Sequence, residues 1–251
     1  MSLAGHPDRL RWNDRYGPGY AASFVPHPLA VEALSLELAD GPVAELACGP
    51  SGSALLAAQA GRKVTAVDIS EIALGLLDAE ARRRGLGDLI TVTHADLATL
   101  HLAPQHYALV LCTGFWDRTV FAEAARSVAP GGVLGWEAFT VAALRARPKL
   151  CPDWCLAQGE PASLLPADFE VIRIWDLTAP VLSAAVPSHE ETRAVVAQPQ
   201  PSPPPHEPDR AQSAGLCRPR SHNKPGTKRR LLARRMTTPG SGGRVAGRTS
   251  G

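Results

Sequence analysis

Nothing in this 251-residue sequence approaches the roughly 20 consecutive apolar residues that cross a bilayer. The N-terminal stretch MSLAGHPDRLRWNDRYG carries charges where the apolar core of a secretory leader would sit, so a cytoplasmic protein is expected. Cysteine is scarce and odd in number, at five. Cys48 and Cys112 fall inside apolar runs and read as small hydrophobes in a reducing compartment. Cys151 and Cys155 have C-x3-C spacing, but no second Cys or His pair accompanies them at ligand distance. No metal site is expected.

Acidic residues are also missing from one region. After Asp209 there are none, while eleven Lys or Arg follow. Residues 1–209 hold 15 basic and 24 acidic side chains, a net of −9, so an acidic body carries a basic tail. The stretch QPQPSPPPHEP at 198–208 cannot build a packed core. The expected division is a folded domain over 1–186 and a largely disordered Pro- and Arg-rich tail over 187–251. Within that tail, Lys228–Arg235 (KRRLLARR) can pair as a last strand. A basic tail can also bind phosphates without specificity, although this one lacks the interleaved aromatics of a nucleic-acid reader.

The body alternates strand-like and helix-like segments, the signature of an α/β fold with crossover helices over a parallel sheet. Strands are expected at 43–47, 63–67, 89–93, 107–112, 133–139 and 169–177. A helix follows Gly52, and another runs from the Ser70 cap to Arg82, Arg83 and Arg84, whose charges suit its negative end. A third spans about 119–128, before the Pro130-Gly131-Gly132 turn. Residues 140–168 are irregular, with four prolines.

Three strand ends carry the chemistry. Glu45-Leu46-Ala47-Cys48-Gly49-Pro50-Ser51-Gly52 joins a strand to a helix, where glycine permits close approach and the helix N-terminus offers free N–H groups. Asp68 ends the next strand, where a carboxylate can accept both hydroxyls of an adenosine ribose, cap the following helix, or do both. Asp96, in His94-Ala95-Asp96-Leu97, ends the third and can meet an adenine edge that Leu97 covers. The loop lacks the G-x-G-x-x-G spacing of a dinucleotide fold. Glu45 would repel a pyrophosphate but suits the ammonium of a methionine tail, which favours S-adenosylmethionine over a nicotinamide cofactor.

As an ordered set, Glu-x-Ala-Cys-Gly, Val-Asp-Ile-Ser, His-Ala-Asp-Leu and Val-Ala-Pro-Gly-Gly-Val-Leu resemble the motifs of class I S-adenosylmethionine-dependent methyltransferases. Within that superfamily, Trp12-Asn13-Asp14-Arg15-Tyr16 looks most like the opening of the tellurite-resistance and thiopurine methyltransferase-like group. That group usually has a second glycine where this chain has Ser51. The resemblance implies a Rossmann-like, doubly wound, mostly parallel seven-stranded sheet with helices on both faces. It also implies that Glu45, Ala47 and Gly49 hold the methionine portion, Asp68 and Ile69 the ribose and adenine, and Asp96 and Leu97 the adenine edge, over a floor of Cys112 and Thr113. On this reading Asp68→Ala abolishes cofactor binding and leaves the fold intact.

The acceptor is less legible. Base-methylating enzymes carry Asn or Asp followed by Pro-Pro-Tyr after the fourth strand, and this chain has Cys112-Thr113-Gly114-Phe115-Trp116-Asp117-Arg118. No His–carboxylate pair marks a general base there, which suits an already ionised or soft acceptor such as a thiol or oxyanion. Trp116 and Arg118, with Arg15 and Tyr16 folding over as a lid, are the residues expected to touch a small-molecule acceptor; packing is the alternative for the aromatics. Two other functions stay open: cofactor binding without catalysis, and RNA or protein methylation guided by the basic tail.

Overall fold

The computed structural model describes residues 3–177 and 227–237. The remainder of the expected tail, 187–226 and 238–251, lies outside the described residues. Two helices open the chain, α1 (Pro7–Tyr16) and α2 (Pro28–Leu34). Each starts from a His-Pro pair: proline presets the first turn, and the His6 or His27 ring accepts an N–H of that turn at 3.2 Å. The sequence reading placed no element at α2.

Strands β1 (Val43–Leu46), β2 (Val64–Asp68) and β3 (Ile90–His94) alternate with helices α3 (Gly52–Gln59) and α4 (Glu71–Arg83). Then come β4 (Tyr107–Thr113), α5 (Arg118–Ser127) and β5 (Val128–Thr140). The expected turn at 130–132 lies inside β5, which begins pairing with β4 at Val128 and slips register around Tyr107 and Leu109. Gly132 is required there, because a Cβ would sit 2.9 Å from the Ala129 and Tyr107 carbonyl oxygens. A two-residue β6 (Cys155–Leu156) joins β5, and β7 (Phe169–Leu177) and β8 (Lys228–Arg235) complete the sheet.

The sheet runs β3-β2-β1-β4-β5-β8-β7, seven strands with β6 attached beside β5. The first five pair in parallel and β8 runs antiparallel between β5 and β7. The expected doubly wound Rossmann-like architecture is what is found. Alternation along the strands divides the core in two. Val43, Leu109, Leu111 and Leu232 meet α2 and α3 on one face, while Ala44, Val110, Cys112, Leu231 and Ala233 meet α5 on the other. Among the described residues no helix is long and apolar enough to cross a membrane.

β8 explains the charge asymmetry. Lys228 and Arg230 reach the buried Glu137 carboxylate at 2.5 and 2.6 Å, Arg229 reaches Asp176 at 2.6 Å, and Arg235 reaches Asp168 at 2.7 Å. Arg234 donates to the carbonyls of Glu37 and Gly131. Five of the basic side chains that follow Asp209 are thus neutralised or bonded by the body. Between them, Leu231, Leu232 and Ala233 are buried in the middle of the sheet.

Candidate functional site

The strand order reverses between β1 and β4, and open α/β sheets bind ligands at the carboxyl ends flanking such a switch. The loop after β1 is built for close approach. Ala47 and Gly49 take positive φ of 49° and 57°, and a Cβ on Gly49 would lie 2.9 Å from the Tyr16 hydroxyl. Ser51, by contrast, has an ordinary extended φ of −87° and needs no glycine. Its oxygen caps α3 by accepting the N–H groups of Ser53 and Ala54 at 3.0 and 3.1 Å, and its hydroxyl donates to Glu45 Oε2 at 2.6 Å. Gly52 is the position without room, since its Cβ would fall 2.4 Å from the Phe24 carbonyl oxygen.

Asp68 closes the loop from the side. Its Oδ2 accepts the Gly49 N–H and its Oδ1 the Ser70 N–H, both at 2.8 Å. Ser70 then caps α4 through Ala73 N–H at 3.1 Å and meets Asn13 at 2.7 Å. On α1, Asn13 and Arg9 share a face one turn apart, and Arg9 pairs with Glu71 at the start of α4. Asp8, Arg11, Trp12, Arg15 and Tyr16 recur at helical spacing on the side turned to the cavity.

That cavity measures 410 Å³, within the range of small-molecule sites. Glu45, Ala47, Asp68, Ile69, Asp96, Leu97 and Thr113 line it, as do Arg15, Tyr16 and Trp116. Three of the expected site residues do not. Gly49 presents its N–H to Asp68 rather than to the cavity. Cys112 is fully buried in the hydrophobic core, because alternation along β4 turns its side chain into the face packed against α5. Arg118 is turned aside by Glu160, which takes its guanidinium at 2.7 and 3.1 Å.

Other lining residues escaped the sequence reading: Arg11, His27, Phe139, Arg147, Leu150 and Trp154. They come from α1, the α2 cap and the irregular segment after β5, none of which carries a family motif. The helical spacing of Asp8, Arg11 and Arg15 was the available signal.

Burial dominates the electrostatics. It raises Glu45 to about 7, against the lowering effect of the Ser51 hydroxyl. It also raises Asp68, whose bonds to Ser70 and Gly49 resist the shift. Burial, with Asp68 nearby, pushes the Tyr16 hydroxyl upward, so it stays protonated and can donate. The Cys48 and Cys112 thiols are pushed up by burial too, Cys48 further by Asp68 and Cys112 by Glu45, so neither is poised as a thiolate. Glu137 goes the other way: burial opposes ionisation, but His27 and Lys228 hold it well below the usual carboxylate range. His27 is not free for proton transfer, since Nδ1 accepts the Leu29 N–H and Nε2 lies 3.3 Å from Glu137. Among the described residues no three His, Cys, Asp or Glu side chains gather as a metal site.

Residues 43–132, spanning β1 to the start of β5, match the family model described as a methyltransferase domain. No curated protein matches the sequence. Among solved structures, the chain is similar to a protein solved in connection with the conversion of a disulfide bond into a thioacetal group during echinomycin biosynthesis. The two are 18% identical over 84% of this chain and 82% of that one, with a TM-score of 0.54. It is also similar to the geranyl diphosphate C-methyltransferase of Streptomyces coelicolor A3(2), solved with Mg2+, geranyl diphosphate and S-adenosyl-L-homocysteine. There the identity is 15% over 59% of this chain and 61% of that one, with a TM-score of 0.52. A geranyl diphosphate methyltransferase solved with S-adenosylmethionine gives 19% identity, 59% and 66% coverage and a TM-score of 0.51. At these identities the structures establish the fold. The methyltransferase-domain match carries the enzyme class and with it the expected cofactor, S-adenosylmethionine, while the narrower tellurite-resistance and thiopurine group finds no support in these matches.

Proposed function

We propose that this cavity binds S-adenosylmethionine and that the chain transfers its methyl group to a small-molecule acceptor. One observation carries the reading: Glu45, Asp68 and Asp96, ending or following three successive strands, line a single cavity at the switch point of the sheet. The residues present fit the group. Glu45 is buried beside the β1 loop and suits an ammonium. Each Asp68 oxygen accepts one backbone N–H, and a carboxylate has about four lone-pair sites, so two remain for a ribose diol. Asp96, Leu97 and Ile69 offer an acceptor and apolar cover for an adenine. Arg15 lines the cavity next to Tyr16 at the glycine loop, and its buried Nε–H has no partner, so it suits the methionine carboxylate. This moves Arg15 from the acceptor to the cofactor.

When bound, S-adenosylmethionine supplies an electrophilic methyl on a sulfonium. The chain's own work is alignment and exclusion of water. α1 closes over the site, held to α4 through Arg9–Glu71 and Asn13–Ser70, so its aromatic face covers the strand ends. Trp116 and Phe115 line the cavity beyond β4, next to Thr113. Ser51, the departure from the usual motif, is a working cap and lends no support to a pocket that has lost its cofactor.

Calorimetry with S-adenosylmethionine and S-adenosylhomocysteine, with NAD as control, tests the reading. Micromolar binding of the first two and none of NAD is expected. A folded protein that binds neither overturns it.

A further inference from the structure

Resting on that cofactor reading, we infer that the methyl acceptor is a small aromatic acid whose anionic group is held by Arg11. Arg11 and Arg15 stand one helical turn apart on the cavity side of α1, and each has a buried Nε–H without a hydrogen-bond partner. A buried donor left unmatched is costly, so each is suited to take an acceptor brought by a ligand, as is the Trp116 Nε1–H in the same cavity. The cofactor has one carboxylate, which the proposed function gives to Arg15.

Arg11 is set differently. Its guanidinium lies 4.8 Å from the centre of the Trp154 ring and 5.4 Å from that of Trp12, and Asp8 holds one Nη at 2.7 Å. Those contacts fix the plane of the fork in advance, the condition for directional recognition of a carboxylate. Arg147, 4.6 Å from the Phe139 ring centre, brings a second guanidinium to the same cavity. The unmatched Arg11 Nε–H is the group at this end that an anion would satisfy. Its other walls are flat and apolar: Trp12, Phe115, Phe139 and Trp154. A ring carrying an acid on one side and a nucleophilic oxygen or sulfur on the other fits that lining. The nucleophile bonds the methyl carbon as the carbon–sulfonium bond breaks; the electron pair stays on sulfur, and the acceptor's proton goes to water.

The test uses the full-length protein and matched acceptors: salicylate against salicylamide, 4-hydroxybenzoate against its amide, and thiosalicylate against 2-mercaptobenzamide. Binding to the S-adenosylhomocysteine-saturated protein is measured by calorimetry, and turnover by S-adenosylhomocysteine release. Acids are expected to bind, and to be turned over, at least tenfold better than their amides. Arg11→Met is expected to bring that ratio to within threefold while S-adenosylhomocysteine affinity stays within twofold. Amides equal to acids, no binding of any acid to the cofactor-loaded protein, or an unchanged preference in Arg11→Met each overturn the proposal. Failure to bind S-adenosylhomocysteine at all is a different result and strikes the cofactor reading.

Discussion

The Ser51 hydroxyl donates to Glu45 across 2.6 Å while the same oxygen caps α3, so one side chain both starts the helix and steadies a carboxylate that lines the cavity. Because burial raises Glu45 to about 7, the carboxylate is half protonated near neutrality. Two opposite pH trends follow. The folded state holds a proton that the unfolded chain releases, so this group's contribution to stability is full below the ordinary glutamate range and is lost as pH rises through about 7. Pairing with an ammonium needs the ionised form, so S-adenosylmethionine affinity should rise over the same interval, about tenfold from pH 6 to pH 8. Calorimetry at the two pH values, in buffers of different ionisation enthalpy, should also show a proton released on binding at pH 6. Ser51→Ala should move the midpoint upward and cost about 1 kcal/mol through the lost cap.

The sequence leaves Asp68 free to serve the ribose, to cap α4, or to do both, and in the structure both its oxygens hold buried backbone N–H groups, of Gly49 and Ser70. Asp68→Ala should therefore lose roughly 2–4 kcal/mol of stability as two donors are orphaned. Asp68→Asn, which keeps one acceptor oxygen, is the better probe. It should stay folded by thermal melt and bind S-adenosylhomocysteine at least tenfold more weakly. Unchanged affinity in a folded Asp68→Asn would remove Asp68 from the ribose.

What the sequence disclosed follows from where its signals were strong. β-Branched and apolar runs located β1 to β4 within a residue or two, and Ser70 and Gly85 bounded α4 because cap and stop chemistry is local. β5 begins five residues before its expected start because the Pro-Gly-Gly segment pairs with β4. The strand-end acids were legible because strand, turn and helix recur in order around Glu45, Asp68 and Asp96. Arg118 and Cys112 fall outside the cavity lining because spacing cannot say which way a side chain turns once Glu160 or the core competes for it. Arg11 and Trp154 meet only through the tertiary fold, from segments 143 positions apart, and nothing local announces them.

Glu137 supplies a third prediction. It is 1% exposed, and Lys228, Arg230 and His27 all converge on it. Glu137→Gln keeps the shape but removes the buried charge that the partly exposed Lys228 and Arg230 pair with, so the cost should fall below the about 3–5 kcal/mol of breaking a fully buried ion pair from one side. The loss should show as a lower denaturation midpoint and faster amide exchange in β8. Restoring stability with Glu137→Gln combined with Lys228→Met would establish that the cost is the uncompensated charge rather than lost packing.

The chain between β7 and β8 supplies the last. Leu177 and Lys228 are direct antiparallel partners, so the ends of the intervening segment sit side by side as in a hairpin. We propose that residues 178–226 are an insertion the fold does not need. Replacing them with Asn-Gly, and keeping Thr227 because its carbonyl accepts the Thr140 N–H at 3.1 Å, leaves a three-residue connection. Shortening the loop this far should stabilise the protein by about 2 kcal/mol through closure entropy, and S-adenosylhomocysteine affinity should stay within twofold. Ending the chain at Leu177 instead deletes β8, leaves β7 without a strand partner and the β8 side of β5 open, and uncovers Glu137, so that variant should not fold. If the loop replacement loses methyl transfer to small acceptors while keeping cofactor affinity, the segment takes part in the acceptor site. If it loses only salt-sensitive retention on nucleic acid, the basic residues of the removed segment bind phosphates independently of the enzyme.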